Sequence, residues 1–140
     1  MRTAEILQAC YSQLTDASVT SILSASYGVP AVFQVGRVPR NDAGDAQYFP
    51  YITFSIPSDV DYSDKRALGG TAIVQVDVWD RSGSAVACGL IMRAALLATV
   101  RQEWNVTGFI TCERESTDMK MDPDGLTQHG LIRLRFMYLD

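Results

Sequence analysis

The fold is decided by one stretch, Thr71-Ala72-Ile73-Val74-Gln75-Val76-Asp77-Val78-Trp79-Asp80. Apolar residues recur at every second position, and successive side chains of a strand point to opposite faces of a sheet. The stretch therefore predicts a strand with one apolar side and one mixed side. The end of the chain repeats this alternation, with inward positions at Ile132, Leu134, Phe136 and Tyr138.

Helical patterns flank this strand in the sequence. Residues 4–14 place apolar side chains on one helical face, and Asp16 suits the cap of a short second helix. After a turn at residues 80–84, residues 84–102 are apolar nearly all round. We expect such a helix to be covered on more than one side.

Two further strands complete an α-α-β-β-α-β-β order. Residues 52–56 alternate as a half-buried strand that Pro57 should stop. Residues 106–121 form a long irregular strand before the turn at residues 122–125, where proline and glycine suit the backbone. The prediction is a single domain over residues 1–140, of the α+β class. Its antiparallel sheet would have about four strands, with helices packed on one face.

Two polar segments connect these elements. Residues 32–35 can form a short extended piece, and residues 37–48 then have the composition of an exposed loop. Residues 57–70 form a second polar connector, and a connector of that length within a domain is usually functional or mobile.

Composition restricts the class of protein. The chain has 140 residues, 47% hydrophobic and 20% charged, which suits one folded domain. Its net charge of −4 disfavours a protein that grips nucleic acid through phosphates. The cysteines, Cys10, Cys88 and Cys112, are odd in number and widely spaced, so we expect buried thiols and no disulfide framework. No signal-peptide pattern is visible, and residues 85–100 are shorter than the roughly 20 apolar residues of a membrane span.

The sequence offers little for catalysis. His129 is the single histidine, and its place at the edge of the last strand favours an exposed strand-end residue over a general base. No GxSxG, HExxH, Walker A or GxGxxG motif is present. The acidic clusters at residues 59–64 and 122–124 lack the ligand order of a calcium loop. We predict no catalytic residues, no metal site and no cofactor.

The mixed side of the sheet is more informative. It carries Trp79, Ile73, Leu131 and Met137 among polar and charged residues. Aromatic, methionine and arginine side chains exposed together are typical of protein–protein contact surfaces. The alternative is that Trp79 and Ile73 lie under the long loops of the same chain.

Two motifs carry a family resemblance. The first is the proline-led entry into a strand, Phe49-Pro50-Tyr51-Ile52-Thr53-Phe54. The second is Val74-Gln75-Val76-Asp77-Val78-Trp79, followed by Asp80-Arg81-Ser82 and a helix rich in alanine and leucine. In this order, after a short helix pair, the sequence resembles the tail-completion and tail-terminator proteins of long-tailed bacteriophages over residues 3–138. It departs from them at the start of the long helix, which here is Ser84-Ala85-Val86-Ala87.

The resemblance implies a structural virion protein at the junction of tail and neck. Such proteins form rings, here expected to be hexamers of the chain, that cap the tail tube once it reaches its length. The ring would contact the tail tube protein and a head-closure or connector protein. DNA would pass through the lumen without sequence-specific binding, since like charges repel. Assembly would take place in the cytoplasm of the host bacterium, with no membrane partner.

The candidate residues for subunit or partner contacts lie on the mixed side of the sheet or in the two polar connectors. They are Trp79, Ile73, Asp77, Arg133, Arg135, Met137, Asp59, Asp61, Tyr62, Lys65, Arg66, Arg37 and Arg40. Two other functions stay open. One is a head-closure or adaptor protein of the neck, and the other is a small non-catalytic ligand-binding module with a concave apolar pocket.

Overall fold

The structure, a computed structural model, describes residues 2–63 and 68–139. At residues 62, 63 and 68 it describes the backbone alone. Along the chain, two helices are followed by three strands, a third helix and two further strands. The helices are α1 (Thr3–Leu14), α2 (Ala17–Thr20) and α3 (Ala85–Thr99). The strands are β1 (Val32–Gln34), β2 (Tyr51–Ser63), β3 (Leu68–Asp80), β4 (Phe109–Met121) and β5 (Gln128–Leu139).

The five strands form one sheet in the order β1-β2-β3-β5-β4. Neighbours are antiparallel except β1, which runs parallel to β2 and pairs Val32 with Ile52. The predicted α+β class is therefore confirmed, but the sheet is mixed and has one strand more than expected. With three residues, β1 is too short for its alternation to show in the sequence, and pairing with β2 fixes its place.

The second polar connector is largely strand, so the prediction of a loop over residues 57–70 was wrong. Strand β2 continues to Ser63, and β3 already begins at Leu68. Pro57 does not stop β2 because the register shifts between Ser55 and Ser58, and a bulge tolerates a residue that cannot donate to the ladder. Cross-strand pairing thus overrides the weak strand propensity of these polar residues.

The core lies between the helices and one side of the sheet, here called the helix face. Its strand residues are buried at every second position, as predicted: Ile52, Phe54, Ala72, Val74, Val76, Val78, Ile132, Leu134, Phe136 and Tyr138. Helix α3 adds Cys88, Ile91, Met92 and Ala95. A Cβ atom on Gly130 would lie 2.6 Å from the Met92 sulfur, so the bare backbone of β5 allows α3 to pack closely.

The ends of α3 are set by two side chains. Ser84 accepts a hydrogen bond from the Val86 amide at the N-terminus. Trp104 is buried at the other end, where its Nε1 donates to the Thr99 carbonyl over 3.0 Å. The helix ends at Thr99, three residues earlier than the apolar pattern predicted, because Val100 is extended and Arg101 takes a left-handed φ of 57°.

The cysteines are free and buried, as predicted. Burial raises the pKa of Cys112 to about 12 and that of Cys88 to about 11, and it also raises the pKa of Cys10. All three thiols therefore act as small apolar core residues with little thiolate character. Within the described residues, no helix has the length and apolar content that a membrane crossing needs.

Candidate interaction surface

The side of the sheet opposite the helices, here called the open face, carries six of the predicted contact residues: Trp79, Ile73, Asp77, Arg133, Arg135 and Met137. The register places Thr53, Asp77, Leu131 and Asp118 side by side across β2, β3, β5 and β4. The next row holds Gln75 and Arg133, and the one after it Ile73 and Arg135. Arg133 and Arg135 are exposed, whereas Ile73, Trp79, Leu131 and Met137 are half-buried.

One end of the open face is a bonded network. The Trp79 ring stacks on the His129 ring, with centroids 3.9 Å apart and an interplanar angle of 8°. Trp79 Nε1 donates to Thr53 Oγ1 over 3.1 Å, and His129 Nε2 lies 2.7 Å from Asp77 Oδ1. Gln75 Nε2 donates to the same carboxylate over 3.2 Å. Three strand residues, Thr53, His129 and Gln75, therefore satisfy the polar atoms of the buried Asp77 and the half-buried Trp79.

This network changes the interpretation of two residues. His129 is part of it, with only 13% of its side chain exposed, and is not the exposed strand-end residue that the sequence predicted. The cause is the register, which pairs His129 with Trp79 and puts both rings on one face. Asp77, predicted as a contact residue, is buried and bonds to His129 and Gln75 within the same chain. Neither contact was visible in the sequence, because strand register is a tertiary property.

The arginine end of the open face differs. Arg133 pairs with Gln75 and Ser116 in the register, and Arg135 pairs with Ile73 and Glu113. On β4 the exposed Asp118 lies opposite Leu131 and the exposed Lys120 opposite His129, so the mixture of charges continues along the sheet edge toward the network. This part of the face therefore presents both signs of charge around half-buried apolar side chains, as contact surfaces often do.

Asp59 and Asp61 lie on the helix face and not in a free connector. Tyr138 Oη donates to Asp59 Oδ1 over 2.7 Å, and it also approaches Asp61 Oδ1 at 3.4 Å. Thr3 Oγ1 donates to Asp59 Oδ2 over 2.8 Å, which attaches the start of α1 to β2. The shift in register near Pro57 causes this placement, since it puts Asp59 opposite Ala72. Asp59 is thus half-buried and bonded within the fold, and its part in a contact between chains stays a prediction.

The other predicted contact residues are placed as follows. Tyr62 belongs to the backbone of β2, whereas Lys65 and Arg66 lie outside the described residues. Arg37 and Arg40 are exposed in the loop at residues 37–48, as expected of that loop. Arg40 donates to the Gly44 carbonyl over 3.2 Å, and the loop is anchored by buried residues at Val38 and Ala46.

Arg81, in the turn after β3, contacts the loop before β2 and the loop between β4 and β5, beside the network. Its guanidinium lies 4.3 Å from the centre of the Phe49 ring, and its Nε donates to Thr127 Oγ1 over 3.0 Å. Its Nη2 lies 3.5 Å from Asp124 Oδ2. Hydrogen bonds from the Leu126 amide and from Thr127 lower the pKa of Asp124 to about 2, with a smaller contribution from Arg81. The turn at residues 122–125 is therefore held against the entry to β2.

The described residues contain no group of three or more histidine, cysteine or acidic side chains that could hold a metal ion. What the fold presents instead is broad surface: a sheet with one uncovered face and helices with exposed apolar side chains. The described residues thus form an α+β protein with surfaces suited to contacts with other proteins.

Comparison with known proteins identifies the family. Residues 14–139 match the family model of the tail completion protein gp17, and the chain belongs to that family. It is a structural tail-completion protein of bacteriophages, as the resemblance in its sequence predicted.

Solved structures share the fold at low sequence identity. A chain in a structure described as the virion of a native gene transfer agent particle matches with a TM-score of 0.79 and 16% identity. The match covers 99% of this chain and 96% of that one. The gp17 protein of bacteriophage SPP1 matches with a TM-score of 0.55 and 18% identity, over 95% of this chain and 88% of that one. No curated protein sequence matches at a significant level.

Proposed function

We propose that the chain is the subunit of a ring, a hexamer, that caps the phage tail tube and joins it to the neck. The ring ends tube growth and offers its other side to a head-closure or connector protein. The mechanism is assembly without turnover, since a repeated contact between copies closes into a ring when the rotation between subunits permits it.

The observation that carries this proposal is the open face. The helices pack on the opposite side of the sheet, and Arg133 and Arg135 remain exposed beside half-buried Ile73, Leu131 and Met137. Apolar side chains among charged ones on an uncovered sheet favour contact with another protein. Membership of the tail-completion family supports other virion proteins as the partners.

The charge of the chain supports a lumen through which DNA can pass. The chain has a net charge of −4, and the open face mixes Arg133, Arg135 and Lys120 with Glu113 and Asp118. A protein that holds DNA through its phosphates would present a basic stripe in that place. A balanced surface lets the duplex move without a strong attraction. The ring would assemble in the host cytoplasm and remain at the tail–neck junction of the virion.

The proposal is tested by electron microscopy of particles produced without this chain. Loss of a cap on the tail tube should give overlong tubes or tails without heads. Complete heads that leak DNA would instead assign the chain to head closure or to an adaptor of the neck. Normal particles, together with a monomeric chain that saturably binds a small molecule, would favour the ligand-binding alternative.

A further inference from the structure

The outer part of β2, residues 58–63, is here called the edge segment, because it lies at the edge of the sheet beyond an interruption. The ladder between β2 and β3 shifts register between Ser55 and Ser58, and β1 pairs with β2 no further than Phe54. Among the strands that the structure describes, β3 is therefore the neighbour of the edge segment on one side, and none lies on the other. A segment with one neighbour has about half of the ladder hydrogen bonds of a central strand.

The side chains of the edge segment add little to its stability. Aspartate and glycine are depleted in strands, and this segment carries Asp59 and Asp61 opposite Ala72 and Gly70. Val60 is 61% exposed and therefore buries little apolar surface. The ladder and apolar burial thus hold this segment weakly, and a weakly held segment opens before the rest of a fold.

A side chain from β5 bonds to the edge segment across the strand between them. Tyr138 is fully buried, and its Oη donates to Asp59 Oδ1 over 2.7 Å. Because β3 separates β5 from β2, the tyrosine ring must cross β3 to reach this carboxylate. It crosses at Gly70, where a Cβ atom would collide with the Tyr138 hydroxyl. Glycine at this position therefore permits a close approach that any larger residue would block.

The second carboxylate oxygen of Asp59 faces the start of α1. Thr3 Oγ1 donates to Asp59 Oδ2 over 2.8 Å. Hydrogen bonds to a carboxylate are stronger than those to a neutral acceptor, and a negative charge beside the first turn of a helix is favoured by the helix dipole. One side chain of the edge segment thus joins three elements, β2, β5 and α1.

We propose that Tyr138 and Asp59, here called the latch, hold the edge segment against β3, and that this segment opens as a unit while the rest of the sheet stays paired. Strand β3 is paired with β5 along residues 69–80, so opening does not unpair the central strands. It exposes the N–H and C=O groups of β3 that face β2. Segments of low local stability are those that rearrange on contact with a partner, and the latch sets how often this segment opens.

Hydrogen exchange of the full chain, followed amide by amide with NMR at low concentrations of urea, tests both parts of the inference. In the wild type, we expect the edge-segment amides that bond to β3 to exchange faster than those of α3. Their rates should depend little on urea, because a local opening exposes little surface. Tyr138→Phe keeps the ring and removes the hydroxyl that donates to Asp59. We expect the same amides then to exchange about tenfold faster.

Three further variants separate the latch from a general loss of stability. Gly70→Ala should displace the Tyr138 ring and accelerate the same amides, although the hydroxyl remains. Tyr27→Phe is the matched control, since it removes a hydroxyl that bonds to the Tyr48 carbonyl outside the latch, and it should leave these rates unchanged. Ile91→Val weakens the core, so it should accelerate amides that exchange through global unfolding and not those of the edge segment.

A double variant supplies the last test. If the two side chains act as a pair, Asp59→Ala combined with Tyr138→Phe should exchange at close to the rate of Asp59→Ala alone. Fully additive effects of the two substitutions, or unchanged rates in Tyr138→Phe, would overturn the latch. Wild-type amides of the edge segment that exchange as slowly as those of α3, with the same dependence on urea, would overturn the separate opening. None of these results bears on the ring, which the mass of the assembled wild type reports.

Discussion

The two tryptophans of the chain lie on opposite faces of the sheet, and their surroundings differ in kind. Trp104 is 1% exposed, packs at 5.0 Å from Phe136 and donates to the end of α3. Trp79 is half-buried and stacks on His129, with its hydrogen bond going to Thr53. One face is thus stabilised by apolar packing and the other by a polar network. An uncovered face of a sheet can therefore still be ordered by side-chain bonds. On this face, the arginine end is the part that remains exposed for partners.

Removal of Trp104 should cause the largest loss of stability. Trp104→Ala would leave a cavity between α3 and β5 and would remove the donor to the Thr99 carbonyl. We expect a loss of about 3–5 kcal/mol in the free energy of unfolding, measured by urea denaturation. A loss below about 1 kcal/mol would mean that the helix face is not the main source of stability.

Removal of Trp79 should cost less. Trp79→Ala deletes the stack with His129 and the bond to Thr53, but its ring is already partly in water. We expect a loss of about 2 kcal/mol in the free energy of unfolding. The second measurement is the mass of the assembled variant, determined by size exclusion. An unchanged ring with reduced stability assigns Trp79 to the fold of the single chain, whereas loss of the ring at preserved stability would place it in the subunit contact.

Acid should release the turn that Asp124 holds. The folded pKa of Asp124 is lowered to about 2 from an ordinary value of 3.8, so its stabilising contribution is fully present above 3.8. That contribution is lost as the pH falls from 3.8 through about 2. We expect Asp124→Asn to be slightly less stable than the wild type at pH 7, and the difference to shrink toward pH 2, as followed by thermal unfolding. A difference that stayed constant with pH would contradict this assignment.

Reversal of the two exposed arginines should affect stability least. Arg133→Glu together with Arg135→Glu changes side chains at the arginine end of the open face, so we expect a change within about 0.5 kcal/mol. The double variant should nevertheless lose binding to its ring or tube partner, measured by co-sedimentation with tail tubes. Ile22→Glu is the control for added charge, and equal binding by both variants would exclude the open face as a contact surface.

Much of the helix face could be predicted from the sequence, and the contacts of the open face could not. The alternation in Thr71–Asp80 and the apolar pattern that became α3 are local signals, and both predictions were confirmed, α3 with a shorter end. The extension of β2 past Pro57 was missed because pairing with β3 stabilises residues of low strand propensity. The contacts of His129, Asp59 and Asp77 depend on register, which no local pattern encodes.

The exposed apolar side of α3 and the groove between α1 and β1 could not be predicted for a related reason. The sequence showed that α3 is apolar all round, but it did not show which side the chain leaves uncovered. The groove requires α1 and β1 to meet, and β1 is only three residues long. Assignment to a tail-completion family was possible without either feature, because the motifs at residues 49–54 and 74–79 lie in the two central paired strands.

Polymerisation of tail tube protein in the presence of the purified chain tests the capping claim most directly. Electron microscopy would measure tube lengths and inspect the tube ends. The account predicts shorter tubes as the concentration of the chain rises, each with a single ring at one end. Tubes of unchanged length with bare ends, and the chain left in solution as a monomer, would contradict it.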